Sequence, residues 1–313
     1  VALQSSKESL VLLKNERNTL PLDISSIKKI AVCGPNADES GYALTHYGPL
    51  AVDVVTVLQG IKDKVKGKAE VLYAKGCELV DDNWPESELI DYPLTETEKD
   101  EIDKAVADVK QADVAVVVLG GGQRTCGENK SRSSLDLPGR QLDLLKAVYA
   151  TGKPVVLVLV TGKPFAIAWE KEHIPAILVQ WYAGEQEGSS IADILFGKTN
   201  PSGHLTVSFP KSSGHLPAYY NHLPTDRGFY HKPGSYEQPG RDYVFSSPGP
   251  LWAFGHGLTY TTFEYADLQI EQTTDSVKVL VTVKNTGTRA GKAVPQLYVR
   301  DVFSSISTPV RQL

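Results

Sequence analysis

The sequence predicts an α/β fold, a mostly parallel sheet sandwiched by helices, followed by a partial all-β segment. Strand-length apolar runs, IAVC, VAVVVL, VVLVLV and AILV, alternate with helix-period stretches between residues 28 and 197. These runs are apolar throughout rather than alternating, as strands covered on both faces are. After Thr259 the texture becomes apolar–polar alternation in three short stretches, FEYADLQIE, VKVLVTVKNTG and AVPQLYVRD, which reads as part of a sandwich.

Taken in order, residues 1–27 read as a lead-in. Leu3, Leu10, Val11 and Leu13 recur at roughly helical spacing, Asn15 and Asn18 break the pattern, and Pro21 stops it. KKIAVCGP (28–35) is the first strand, ended by Gly34 and Pro35. A loop carrying Tyr42, His46 and Tyr47 follows, then a helix over 53–65 and a strand over 69–74, a right-handed crossover between parallel neighbours. Residues 78–94, acidic and Pro-containing around Trp84, read as an excursion loop. Thr95 with Glu98 three residues on makes a capping box for a helix to about Gln111.

The run Val114–Leu119 is the organising strand. Ligands of parallel sheets collect at the carboxyl ends of strands, so the loop from Gly120 to Leu137 is where chemistry is expected. Pro138 suits a helix's first turn, with Leu142, Leu145 and Val148 on one face up to Ala150. Strands over 153–160 and 174–181 flank a short segment with Trp169, and a helix from Gly188 to Phe196 ends at Gly197. Residues 211–257, rich in Pro, Gly, Tyr and His, read as a long irregular segment lying on a surface.

Composition narrows the function. At 313 residues, 41% apolar and net charge −5, the chain can bury a full core and has no basic stripe, which argues against nucleic acid and membrane as partners. No stretch approaches the roughly 18 apolar residues of a membrane span. Cys33, Cys77 and Cys126 are odd in number and widely spaced, supporting neither a disulfide framework nor a zinc site. There is no methionine, even at position 1, so the chain is expected to be a processed product or an excised piece of a longer polypeptide.

Within the central loop, Glu128 is flanked by Arg124, Lys130 and Arg132. A carboxyl at the tip of a glycine-rich loop can act as a general acid if its surroundings hold its proton near working pH. It can equally be a solvated glutamate paired with a neighbouring cation, and spacing alone favours that. Gly120–Gly122 matches no phosphate-binding fingerprint. Glu185 and Glu187 precede a helix start, where favourable charge explains them as well as catalysis does. His204, His215, His222 and His256 lack metal-ligand spacing. Tyr42 and Tyr47 could stack on a sugar or merely pack the rim.

SLVLLKN…LPL, IAVCGPNAD, VVVLGGGQRTCGENKSRSSLDLPGRQLDLL, KPVVLVLVTGKP, WYAGEQEGSSIADILFGKTNPSGHLTVSFP and FGHGLTYTTFEY occur in this order along essentially the whole chain. Together they resemble glycoside hydrolase family 3, in the part that follows the catalytic barrel of β-glucosidases and β-xylosidases. The resemblance implies an α/β sandwich over 28–257 and a fibronectin type III-like domain beginning at 258 and cut short by 313. It also implies a retaining mechanism in which a (β/α)8 barrel supplies the nucleophilic aspartate and this segment supplies the acid/base.

Glu128 stands where that glutamate belongs. Arg132 and Lys130 would orient the loop or contact the sugar, with surface charge an equal alternative, and their charge would lower the pKa of Glu128. Tyr47 is a further sugar-contact candidate. No cofactor is implied. The expected partners are a β-linked glycoside and the upstream barrel, and the resemblance suggests a periplasmic or secreted protein. A non-catalytic carbohydrate-binding or scaffolding module is the competing reading; a nucleotide-binding protein is disfavoured.

Overall fold

The computed structural model describes residues 1–41, 52–223, 237, 246 and 249–313. Its centre is a six-stranded sheet built from β1 (Val11–Asn15), β2 (Lys29–Cys33), β3 (Glu70–Ala74), β4 (Val114–Gly120), β5 (Val155–Val160) and β6 (Ala176–Val179), in the order β1-β6-β5-β4-β2-β3. All neighbours run parallel except β1, which pairs antiparallel with β6. Every residue of β4, β5 and β6 is buried, which is why their sequences are continuous apolar runs.

Alternate residues of those strands feed two cores. Val117, Leu119, Leu157 and Leu159 pack with α3 (Glu96–Gln111) and α4 (Gln141–Tyr149), while Val116, Val118, Val156 and Val158 pack with α2 (Val57–Val65) and α6 (Glu187–Leu195). The capping box of α3 forms as expected: Thr95 Oγ1 accepts from the Glu98 amide at 3.2 Å, and Glu98 reaches back to the Thr95 amide at 2.8 Å.

Three expectations are corrected. Residues 1–27, expected as a lead-in linker or helix, contribute a strand to the sheet itself. A helix, α1, covers only Ala2–Ser9, after which Val11–Asn15 becomes the antiparallel edge strand, with Val11 opposite Val179. Leu10 to Leu13 are four consecutive apolar residues, and burying both faces of a strand satisfies all four, whereas a helix would turn some of them outward. Secondly, Pro138 does not open a helix. Gly139 turns the chain at φ +59, and α4 starts at Gln141.

Thirdly, the alternating tail yields two strands rather than three, β7 (Phe263–Gln272) and β8 (Val277–Asn285), paired antiparallel. The stretch AVPQLYVRD contributes only an isolated bridge, Val299 with Gln312. The short segment holding Trp169 is a helix, α5 (Ala168–His173). In the irregular stretch 211–257, the described residues include a single helical turn at Ser213–His215 and a bridge from Phe209 to Trp252.

Candidate active site

The loop from Gly121 to Gly139 leaves the carboxyl end of β4, the strand in the middle of the sheet. Gly120 begins the departure at φ +151, and a Cβ there would lie 1.8 Å from the carbonyl oxygen of Val160 on β5, so only glycine fits. The fully buried side chain of Gln141 closes the loop's base. Its Oε1 accepts from the Gly120 amide at 2.7 Å, and its Nε2 donates to the carbonyls of Gly120 at 2.9 Å and Leu79 at 3.0 Å. Both ends of a long loop are thus held at one point.

The glycine triplet spends its amides internally. Gly120 N–H goes to Gln141, Gly121 N–H to the Val160 carbonyl at 2.8 Å, and Gly122 N–H to Thr125 Oγ1 at 3.1 Å. A phosphate cradle needs such amides to converge on a ligand, so this arrangement speaks against a nucleotide site.

Glu128 sits at the loop's tip. The Lys130 amide donates to the Gly127 carbonyl at 3.2 Å, closing a turn whose second residue is Glu128 and whose third, Asn129, has φ +58. Asparagine is among the few L-residues that tolerate that conformation. Glu128, Asn129 and Lys130 are exposed at this apex. A carboxyl held out on a hydrogen-bonded turn, with its loop anchored at the base, can meet a molecule approaching from outside this layer.

Arg132 lies differently from Lys130. Its side chain is 2% exposed and forms an ion pair with Glu88, itself 5% exposed, while its Nη2 donates to the Asp136 carbonyl at 3.0 Å. Surface charge is therefore not its role, and its cation is matched by Glu88. Arg124 stacks over Trp84, with its guanidinium carbon 5.5 Å from the ring centre. Burial, and then the Arg132 cation, hold the Lys163 amine below its ordinary pKa. Burial, and then the Cys126 thiol, raise the pKa of the Tyr182 hydroxyl.

Tyr47, with Tyr42 and His46, lies outside the described residues. Glu187 occupies the first position of α6, fully buried, and Glu185 precedes it. His204, His222 and His256 each engage a nearby carbonyl through a ring nitrogen. Among the described residues no group of three His, Cys, Asp or Glu could hold a metal ion. Cys33 and Cys77 are buried, which pushes the Cys33 thiol up to about 12 and raises Cys77 well above normal, so neither is an available thiolate.

Glu88, Trp84, Arg140 and Gln141 are the residues that sequence reasoning missed. Arg140 Nε donates to Glu98 at 3.0 Å and its Nη1 to the Tyr92 carbonyl at 2.9 Å, fastening the excursion 78–94 beside the loop. The only signal in the sequence was a cluster of acidic residues facing a basic loop about 40 residues away, and no periodicity links such segments.

The layer thus carries an exposed carboxyl, Glu128, on the loop that leaves the carboxyl end of β4. Residues 10–260 match the glycosyl hydrolase family 3 C-terminal domain, and the chain belongs to that family. Among curated relatives, it is 42% identical to a periplasmic beta-glucosidase of Salmonella typhimurium, over 100% of this chain and 42% of the relative. It is 38% identical to a beta-xylosidase of Formosa agariphila, over 100% of this chain and 41% of the relative.

Among solved structures, a β-glucosidase of Erythrobacter marinus superposes with a TM-score of 0.85 at 37% identity, over 99% of this chain and 42% of that one. A β-glucosidase of Listeria innocua in complex with gluconolactone gives 0.84 at 34%, over 99% and 41%. The chain thus spans about two-fifths of the length of these relatives.

Proposed function

We propose that this chain supplies the acid/base half of an exo-acting retaining β-glycosidase, a β-glucosidase first and a β-xylosidase next, with Glu128 as the acid/base. The observation that carries the proposal is the position of Glu128: exposed at the apex of a hydrogen-bonded turn, on a loop anchored at the carboxyl end of the central strand, in a chain of this family. The substrate would lie between this layer and a (β/α)8 barrel of the same polypeptide, which carries the nucleophilic carboxylate.

In such a site the Glu128 carboxyl gives its proton to the glycosidic oxygen as the nucleophile attacks the anomeric carbon. The resulting carboxylate then takes a proton from the water that releases the sugar. The two carboxyl groups must stand roughly 5–5.5 Å apart for that double displacement. No step needs a cofactor. Lys130, exposed beside Glu128, is available to a sugar hydroxyl, while the buried Arg132 acts on the loop.

We propose further that residues 258–313 begin a fibronectin type III-like domain. In its support, Tyr265, Ile270, Val277 and Val281 are exposed on one side of β7–β8, and Glu264, Glu271, Lys278 and Lys284 alternate with them. An amphipathic two-stranded sheet is marginal unless its apolar face is covered. Export, the named property of the Salmonella relative, is carried over as part of the same proposal.

The test is E128Q in the full-length polypeptide. A general acid contributes about 10²–10⁴-fold, so hydrolysis of an unactivated disaccharide should fall by that order, while a dinitrophenyl β-glucoside, whose leaving group needs little protonation, should react far more nearly normally. Full activity of E128Q on the disaccharide would remove Glu128 from the mechanism. Should the full-length protein bind glycosides but hydrolyse none, the carbohydrate-binding or scaffolding reading would replace this one.

A further inference from the structure

The tip of the Glu128 loop is fastened on both limbs to the excursion 78–94. Glu88 is the centre of the fastening. Its Oε1 accepts from Trp84 Nε1 at 3.0 Å and from Arg132 Nε, and its Oε2 accepts from Ser133 Oγ at 3.5 Å. Arg132 also reaches along its own loop to the Asp136 carbonyl at 3.0 Å, and Arg124, on the other limb, covers the Trp84 ring. Arg124 precedes Glu128 by four residues, and Arg132 follows it by four.

A buried ion pair is weak as a source of stability, because desolvating two charges offsets most of their attraction. What it fixes is geometry. The planar guanidinium has donors in fixed directions, and Glu88 and Asp136 take two of them, so the limb after Glu128 is tied at two points. Acid catalysis depends on such placement, since a misplacement of about 1 Å can cost ~10²-fold.

We propose that Glu88 and Arg132 form a positioning clasp that holds Glu128 in reach of the glycosidic oxygen. The proposal rests on the acid/base reading of Glu128. Neither clasp residue touches the reacting atoms. The clasp acts by restricting the loop, so its loss should penalise those substrates that need the acid and spare those that do not. A purely structural role would lower activity on both alike.

The experiment compares E88A, E88Q, R132K and E128Q in the full-length polypeptide, on an unactivated β-linked disaccharide and on a dinitrophenyl β-glucoside. In E88A, kcat/KM on the disaccharide should fall by about 30–100-fold, chiefly in kcat, with less than about a threefold change on the activated substrate. E88Q keeps an acceptor oxygen for Trp84 and Arg132 and should recover most of the loss. R132K, which lacks the planar fork, should resemble E88A.

Tryptic cleavage after the exposed Arg124 and Lys130 should be faster in E88A by about tenfold at a temperature where parent and variant are both folded, because the loop is released. The Arg132 left buried without its carboxylate should also lower the melting temperature. Equal losses on the two substrates, or no loss on the disaccharide, in E88A and R132K alike would overturn the clasp. If E88A does not fold, the same criteria apply to E88Q and R132K. E128Q separates the two ideas: if it shows the leaving-group dependence and the clasp variants do not, the clasp alone fails; if it lacks that dependence, the acid/base reading fails first.

Discussion

Replacing Gln141 by alanine should be among the costliest single changes to this fold, although Gln141 is neither apolar nor near the loop's tip. Its side chain is fully buried and makes three hydrogen bonds, to the Gly120 amide and to the carbonyls of Gly120 and Leu79. Alanine leaves three backbone groups without that partner in a site where the side chain excluded water. An unsatisfied buried polar group costs about 1–3 kcal/mol, and some of the three will relax toward water, so the sum is ~3–5 kcal/mol. Gln123→Ala is the control. Gln123 also donates to a backbone carbonyl, that of Gly41 at 2.7 Å, but it is exposed, and its loss should cost less than about 1 kcal/mol. Equilibrium unfolding in urea, followed by far-ultraviolet circular dichroism, measures both. If Q141A lay within about 1 kcal/mol of the parent, or matched Q123A, the argument that buried amide bonding closes this loop would be refuted.

Two pH predictions follow from buried carboxyls outside that loop. Burial raises Glu170 to about 7, so the folded chain keeps its proton where the unfolded chain has released it. Stability should then fall as pH rises from about 4.5 to 7, and E170Q should abolish that decline and gain ~2–3 kcal/mol at pH 8 in urea titrations. A parent whose stability is flat across this window would contradict the assignment. For Asp193 burial acts upward but is outweighed by Lys64 and Lys7, both at 2.6 Å, with Lys198 at 3.4 Å, leaving its pKa below normal. Its contribution is therefore present above about pH 4 and is lost as pH falls through its folded value. D193N should be less stable than the parent at pH 7, and the gap should narrow as pH falls below about 4; a constant difference down through that range would count against the lysine cluster.

Much of the layer was legible in the chain. VAVVVLG and VVLVLV are apolar at every position, a pattern that few arrangements other than an inner parallel strand satisfy. Thr95 and Glu98 announced a helix start through local hydrogen bonds that need nothing distant. Leu3, Leu10, Val11 and Leu13 fit a helical period because apolar spacing over so few residues fits either period, and Val11–Asn15 is a strand because β6 offers an edge. Pro138 misled for a related reason: the turn at Gly139 had to be completed before α4 could begin.

The sequence by itself determined β2 to β6, the capped helix and the loop that carries Glu128, because each depends on residues adjacent along the chain. Only the tertiary structure decided what each charge on that loop does. Arg132, Lys130 and Arg124 are equivalent as letters, yet one is buried against Glu88, one is exposed at the apex, and one lies over Trp84. Their partners stand about 40 residues away in the excursion 78–94, and pairing across that distance leaves no period in the sequence. It follows from the tertiary contact that brings the excursion after β3 against the loop after β4, and from the cost of burying a guanidinium without a carboxylate to meet it.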